Sequence, residues 1–211
     1  MELISALFDF VLHVDKHLLE IIRDYGTWTY LVLFIIIFSE TGFVVTPFLP
    51  GDSLIFVIGA LGASGALNFK VALILLIIAA VGGNTLNYFI GRMIGDKLLG
   101  MKNTRLIKQE YLHKTQVFYK RHGGKAIILS RFLPIIRTFA PFVAGLGEMK
   151  FMKFCFFNMI GGMAWVLLFI FAGYFFGNIP AVKSNFTYVI FGIIFVSLLP
   201  TVIPYIRSKI K

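Results

Sequence analysis

Along residues 3–24 apolar side chains recur at positions 4, 7, 8, 11, 14, 18 and 22, while Asp9, His13, Lys16, Glu20 and Asp24 fall on the opposite face. That spacing is the 3.6-residue period of a helix. Too many charges line it for a lipid-facing span, so the pattern predicts a helix lying in the membrane interface and ending at Tyr25-Gly26. From residue 28 the period dissolves into solid apolar runs. Residues 28–63 make one such region, broken by TPFLPGD, and residues 70–91 make a second, entered after Lys70 and left at Arg92. Residues 104–122 are amphipathic again, strongly basic, and closed by Gly123-Gly124. The stretch 125–147, KAIILSRFLPIIRTFAPFVAGLG, is apolar, broken by prolines, and contains Arg131 and Arg137. Two further runs, 153–177 and 186–206, are long enough to cross a bilayer.

The same order occurs twice: an amphipathic helix with a glycine, a proline-broken apolar stretch, then a full span. FLP stands at 48–50 and 132–134, GALG at 59–62 answers AGLG at 144–147, glycine pairs open spans at 82–83 and 161–162, and YFIG at 88–91 answers YFFG at 174–177. Four landmarks in one order predict an internal repeat inside a single domain over residues 1–211, with one copy over about 3–95, the other over about 104–177, and a final span at 186–206. GRMIG (91–95) and GYFFG (173–177) match GxxxG, a pattern too common in membrane helices to define an interface by itself.

Charge orients these elements. Nine Lys/Arg fall between Arg92 and Lys125 and three more in the closing RSKIK, and basic loops beside apolar spans belong on the cytoplasmic side. With 70–91 running inward, 153–177 outward and 186–206 inward, residues 125–147 must enter and leave on the cytoplasmic face. They are expected as a re-entrant hairpin, and the repeat predicts a second hairpin over 38–62 dipping from the other face. The expected fold is therefore an all-α integral membrane protein: an inverted-repeat-like bundle of two re-entrant proline-broken hairpins, amphipathic interfacial helices and about three full transmembrane spans. The charge pattern predicts a multi-pass membrane protein with a cytoplasmic C-terminus.

Composition agrees. Hydrophobic residues make up 58% of the 211, charged residues 14%, and mean hydropathy is +0.87. Soluble domains run nearer 45–50% apolar and about 25% charged. The net charge of +10 does not read as nucleic-acid binding, because it is concentrated in loops beside spans, where it also attracts anionic headgroups. The acidic, amphipathic start is unlike a cleaved signal. The single cysteine, Cys155, lies in an apolar FCFF run and allows neither an intramolecular disulfide nor a cysteine cluster. HExxH, GxSxG and GxxxxGK[ST] are all missing from the sequence, so metal, serine and nucleotide chemistry lack a motif, and no cofactor is expected.

What remains is a set of ionisable groups where hydrocarbon should forbid them. Glu40 and Asp52 flank the first proline break, and Arg131 and Arg137 flank the second. Two broken hairpins from opposite faces bring their tips together near the midplane in inverted-repeat transporters. Arginine offers a planar, permanently charged fork suited to phosphate or carboxylate. A carboxylate in a cavity of low dielectric exchanges its proton near neutrality. The expected division is Arg131 and Arg137 on a substrate phosphate and Glu40 and Asp52 on the proton, with Pro50, Gly51, Asn84, Pro134 and Asn158 as candidates to line the cavity. The bland alternative is an ion-pair cluster that locks the hairpins together with no ligand. Asn87 joins Asn84 and Asn158 as an asparagine inside a span, fit either to line a cavity or to tie helices together. Arg92 and Asp96 sit where a span leaves the membrane, where snorkelling accounts for them.

FSETGFVVTPFLPGDSLIF (38–56), NYFIGR (87–92), FYKRHGGK (118–125), RFLPIIRTFAPFVAGLGEM (131–149) and NMIGGMAWVLLFIFAGYFFG (158–177) together resemble the DedA family, the SNARE-associated or VTT-domain proteins. The resemblance covers nearly the whole chain. It implies an inner-membrane protein of bacteria with two re-entrant hairpins, a role in envelope homeostasis linked to the proton motive force, and movement of lipids between leaflets, undecaprenyl phosphate and phospholipids among them. The family's functional acidic and basic positions fall on Glu40, Asp52, Arg131 and Arg137. The expected function is thus a proton-motive-force-linked translocase of a phosphate-headed lipid and not an enzyme. Its partners are membrane lipids with anionic phosphate headgroups and protons, no nucleic acid is expected, and a homo-oligomer is left open. The alternative is a proton-coupled antiporter of small solutes or cations using the same acids.

Overall fold

The computed structural model describes residues 20, 22–43, 51–99, 123–147, 149–185, 188–193 and 195. Most of the expected interfacial helix over 3–24, the first proline break with Pro47 and Pro50, the basic segment 104–122 and most of the final span 186–206 lie outside the described residues. Among the described residues the fold is all-helical. A 3-10 turn, Gly26–Trp28, leads into α1 (Thr29–Gly42), followed by α2 (Gly51–Ala63), α3 (Phe69–Leu99), α4 (Lys125–Ser130), α5 (Pro134–Leu146), α6 (Phe151–Phe176) and α7 (Pro180–Ser184).

Two stretches among these, Phe69–Gly95 and Phe151–Phe176, are long and apolar enough to cross a membrane, with 27 and 26 residues. At about 1.5 Å per residue each exceeds the roughly 30 Å of a hydrocarbon core. Polarity is distributed as lipid demands. Ile74, Ile78, Met152, Phe156 and Met159 are exposed, while Glu40, Asp52, Asn84, Asn87, Arg131, Arg137 and Asn158 are buried. Exposed apolar side chains of this kind are a liability in water and ordinary in a bilayer.

By internal packing the chain divides into two units, one of Met1–Ile37, Phe48–Ile78 and Trp165–Lys211, the other of Phe38–Pro47 and Ala79–Ala164. In the first unit α2 is buried from Gly51 to Leu61. It ends in a Schellman motif: Gly65 takes φ +80°, Ala66 N–H reaches Leu61 O at 3.0 Å, and Gly65 N–H reaches Gly62 O at 3.3 Å. Asn68 then caps α3, its Oδ1 accepting from Val71 N–H at 3.2 Å. Phe69 follows with its ring against Phe171 and Tyr174, centroids 5.5 and 4.7 Å away. The closest contact is backbone to backbone. A Cβ on Gly59 would collide with the Ile170 carbonyl, one on Gly173 with the Phe56 carbonyl, and one on Gly177 with Ala60.

The second unit makes the same contact with different residues. A Cβ on Gly145 would collide with the Tyr88 carbonyl, one on Gly91 with the Phe142 carbonyl, and one on Gly95 would press on Leu146. Phe56, Gly59 and Ala60 of α2 thus stand to Ile170 and Gly173 of α6 and Gly177 just after it as Phe142, Gly145 and Leu146 of α5 stand to Tyr88, Gly91 and Gly95 of α3. Close packing through small residues is how helices associate where lipid removes the hydrophobic drive. Nearby, Tyr88 stacks on Phe154 with centroids 4.4 Å apart and donates its hydroxyl to Met149 O.

The span expected over 70–91 continues as helix to Leu99, and Pro141 sits inside α5 without ending it. Hydropathy marks where lipid ends, whereas helix continues until the backbone is broken. A proline in a helix costs one ladder hydrogen bond, which partners within a bundle can replace.

Candidate functional site

From Leu31 α1 is apolar until Ser39-Glu40-Thr41, two residues before its last described neighbour. Glu40 has no exposed surface, and its Oε1 accepts from Arg137 Nη2 in a buried ion pair. Arg137 reaches that position because α5 starts where it does. Leu133, ahead of Pro134, is extended at φ −120°, ψ 98°, as residues before proline must be, and Pro134 occupies the first helical turn. The chain therefore breaks after α4, and the two arginines come from opposite sides of that break. Arg131 is the residue that closes α4.

Arg131 is 2% exposed, yet among the described residues of this unit every acceptor it meets is a neutral oxygen. Its Nη2 donates to Asn158 Oδ1 at 2.5 Å and to Ala80 O at 3.2 Å. With the Asn84 amide turned to satisfy both its ends, Oδ1 accepts from Arg131 Nε at 3.1 Å and Nη2 at 2.9 Å. Arg131 Nη1 has no hydrogen-bond partner among the described residues. The glycine pair 161–162 leaves room for the guanidinium, since a Cβ on Gly162 would stand 3.2 Å from Nη2. Asn158 is fixed in turn by Val81 O at 3.0 Å and Thr85 Oγ1 at 3.2 Å. A permanently charged fork held by amides, with one nitrogen to spare, has the chemistry to accept an anion.

Glu40, Arg131, Arg137, Asn84 and Asn158 all belong to the second unit, while Asp52 and Gly51 belong to the first. Gly51 is buried and opens α2, Asp52 lies in its first turn, and Asp52 Oδ1 accepts from Trp165 Nε1 at 2.9 Å. Pro50 and the Pro134 side chain are outside the described residues. Trp165 is a residue that the sequence reading passed over. A buried indole N–H needs an acceptor, and in an apolar span the acids are few. Trp165→Phe keeps the ring and removes the donor to a buried carboxylate. It should cost about 1–3 kcal/mol of stability, read as a lowered unfolding temperature in detergent, and an unchanged temperature would show that the bond contributes nothing.

Residues 49–175 match the VTT domain family model. The chain is 54% identical over 211 residues to Protein DedA of Escherichia coli (strain K12), covering 99% of this chain and 96% of that protein. The chain belongs to the DedA family. It is also 43% identical over 169 residues to an uncharacterised membrane protein of Mycobacterium leprae (strain TN), covering 80% of this chain and 76% of that one. Inner membrane protein YqjA of E. coli K12 is 35% identical over 151 residues, 72% of this chain and 69% of its own. No solved structure matches. The DedA-family assignment, the helical fold and the apolar outer surface together make this a membrane protein.

Proposed function

We propose that this DedA-family protein moves a phosphate-headed lipid, undecaprenyl phosphate or a phospholipid, across the bacterial inner membrane in a cycle linked to protons. The observation that carries the reading is Arg131: a buried guanidinium surrounded in its unit by neutral amides and carbonyls, with Nη1 unpartnered among the described residues. Arg137 is engaged by Glu40. When Glu40 takes a proton, the pair loses its attraction and Arg137 turns to the same phosphate. Among the described buried charged groups of this unit, two arginines face one glutamate, so protonation raises their excess from one positive charge to two. A phosphate monoester carries about −1.5 to −2 at neutrality, which the protonated state neutralises better. Asp52, held by Trp165, serves as the second proton-carrying carboxylate. The lipid tail stays in the bilayer, so only the headgroup needs a polar path.

The test is a reconstituted flip assay with purified protein in vesicles, run with polyprenyl phosphate and with phosphatidylethanolamine, with and without a pH gradient. Gradient-dependent flipping of either lipid supports the reading, and the preferred lipid names the substrate. Movement of a small cation with no lipid flipping would replace it by the antiporter.

A further inference from the structure

Within the second unit α4 and α6 run side by side in the same direction. A Cβ on Gly124 would collide with the Phe157 ring, and one on Gly161 would stand 3.1 Å from Ile128 Cα and 3.4 Å from Arg131 Cγ. One end of this helix pair thus holds Arg131. The other end is rimmed by lysines. An apolar cluster that includes Ile127, Met149 and Phe154 closes it, and Lys125, Lys150 and Lys153 each lie within two residues of a cluster member. Gly123, at φ +61°, makes the turn before Lys125, and the place its Cβ would take is 3.8 Å from Lys153 Nζ. All three lysines are exposed, and none meets a carboxylate among the described residues. Glu148, the acid nearest in sequence, lies outside the described residues, and its one charge leaves three ammoniums in excess. Gathered like charges repel, and an anion relieves them. The surface beside them selects the kind of anion. Leu129, one turn after Lys125 on the same face of α4, is 64% exposed, and Phe156, one turn after Lys153 on α6, is 60% exposed. A soluble anion gains nothing from apolar side chains, whereas an anionic lipid meets the lysines with its headgroup and these residues with its tails.

We propose that Lys125, Lys150 and Lys153 form a collecting site for the phosphate headgroup of an anionic lipid at the membrane surface, separate from Arg131. Lys125 opens α4 and Arg131 closes it, so at about 1.5 Å per residue the two lie about 9 Å apart along the helix. The ammoniums are exposed and mobile where the guanidinium is buried and held by amides. The surface site gathers headgroups loosely, and the buried one binds a single phosphate. The inference rests on the phosphate reading of Arg131 only for what becomes of the lipid next, because collecting it needs no transport.

The experiment places purified protein in phosphatidylcholine vesicles with a trace of phosphatidic acid that carries a diazirine in one acyl chain. Cross-linked residues are then mapped by mass spectrometry. Labelling should concentrate around Leu129, Met152 and Phe156. One lysine near a membrane surface is worth about fivefold in attraction for anionic lipid. The triple variant Lys125→Gln, Lys150→Gln and Lys153→Gln should therefore lose about tenfold or more of this labelling and fall to the level of a phosphatidylcholine probe with the same chains. The corresponding triple arginine variant, which keeps the charges, should label like the native chain. Salt gives the same test without substitution, since going from about 0.1 M to about 1 M shortens screening from about 10 Å to about 3 Å. Labelling of the native chain should then drop toward the phosphatidylcholine level. Equal labelling by both probes, or labelling that survives the glutamine variant or the salt, overturns the collecting site. Displacement by inorganic phosphate beyond that by chloride at equal ionic strength also overturns it, because the lysines would then serve a free anion. A chain that labels as expected yet flips no lipid keeps the collecting site and loses the translocase.

Discussion

Arg131→Lys should lower gradient-driven flipping of a phosphate-headed lipid by roughly tenfold to a hundredfold while the protein still inserts and remains monodisperse. Lysine keeps the charge but presents one compact ammonium in place of a planar fork. The fork divides its work, with Nε and Nη2 meeting Asn84, Asn158 and Ala80 while Nη1 is left over. An ammonium satisfying the same oxygens has no second face to offer. Hydrogen bonds to charged groups are worth about 1.5–3 kcal/mol, and each 1.4 kcal/mol is about a factor of ten. The loss should appear in lipid affinity. Arg131→Lys flipping at the native rate would remove Arg131 from the phosphate site and leave it a structural strut between α3, α4 and α6.

Much of this was legible in the sequence because hydrocarbon makes polar groups conspicuous. Glu40, Arg131 and Arg137 stand out in apolar runs, and the structure places all three in one unit. Their individual partners were not legible. Arg131 finds neutral amides and Arg137 finds the carboxylate, a choice set by the break at Pro134, which no pattern of residue types encodes. Asn84 and Asn87 lie three apart, hence on one helical face, but their shared acceptor is the Thr41 backbone carbonyl and leaves no side-chain signature. The glycines teach a similar lesson. YFIG and YFFG look like matching words, but Gly91 and Gly95 play in one unit the packing role that Gly173 and Gly177 play in the other, so a repeat registered on contacts runs through GRMIG and GYFFG. Words rich in aromatics record no single environment: Tyr88 is buried while Phe175 and Phe176 are exposed. A glycine under a carbonyl records one particular neighbour.

The ion pair makes the last prediction, because its two halves differ in what they can do alone. Glu40→Leu strands a guanidinium in the interior, and arginine cannot shed its charge. Removing one partner of a buried pair costs roughly 3–5 kcal/mol, so this variant should yield little folded protein. Arg137→Met strands a carboxylate instead, and a carboxylate can take a proton and become neutral. Arg137→Met should therefore be the milder variant, with folded yield falling less and falling further as pH rises. The double replacement Glu40→Leu with Arg137→Met removes both charges and fills the space with apolar atoms, a change that is often neutral or stabilising in other buried pairs. It should recover folded protein to near the native level. Transport should not return if the pair exchanges a proton for a phosphate as proposed. The measurements are monodisperse yield at two pH values and flipping under a pH gradient for all three variants. A double variant that folds and flips like the native chain would reduce Glu40 and Arg137 to a lock between α1 and α5, and the proton link would have to be sought at Asp52.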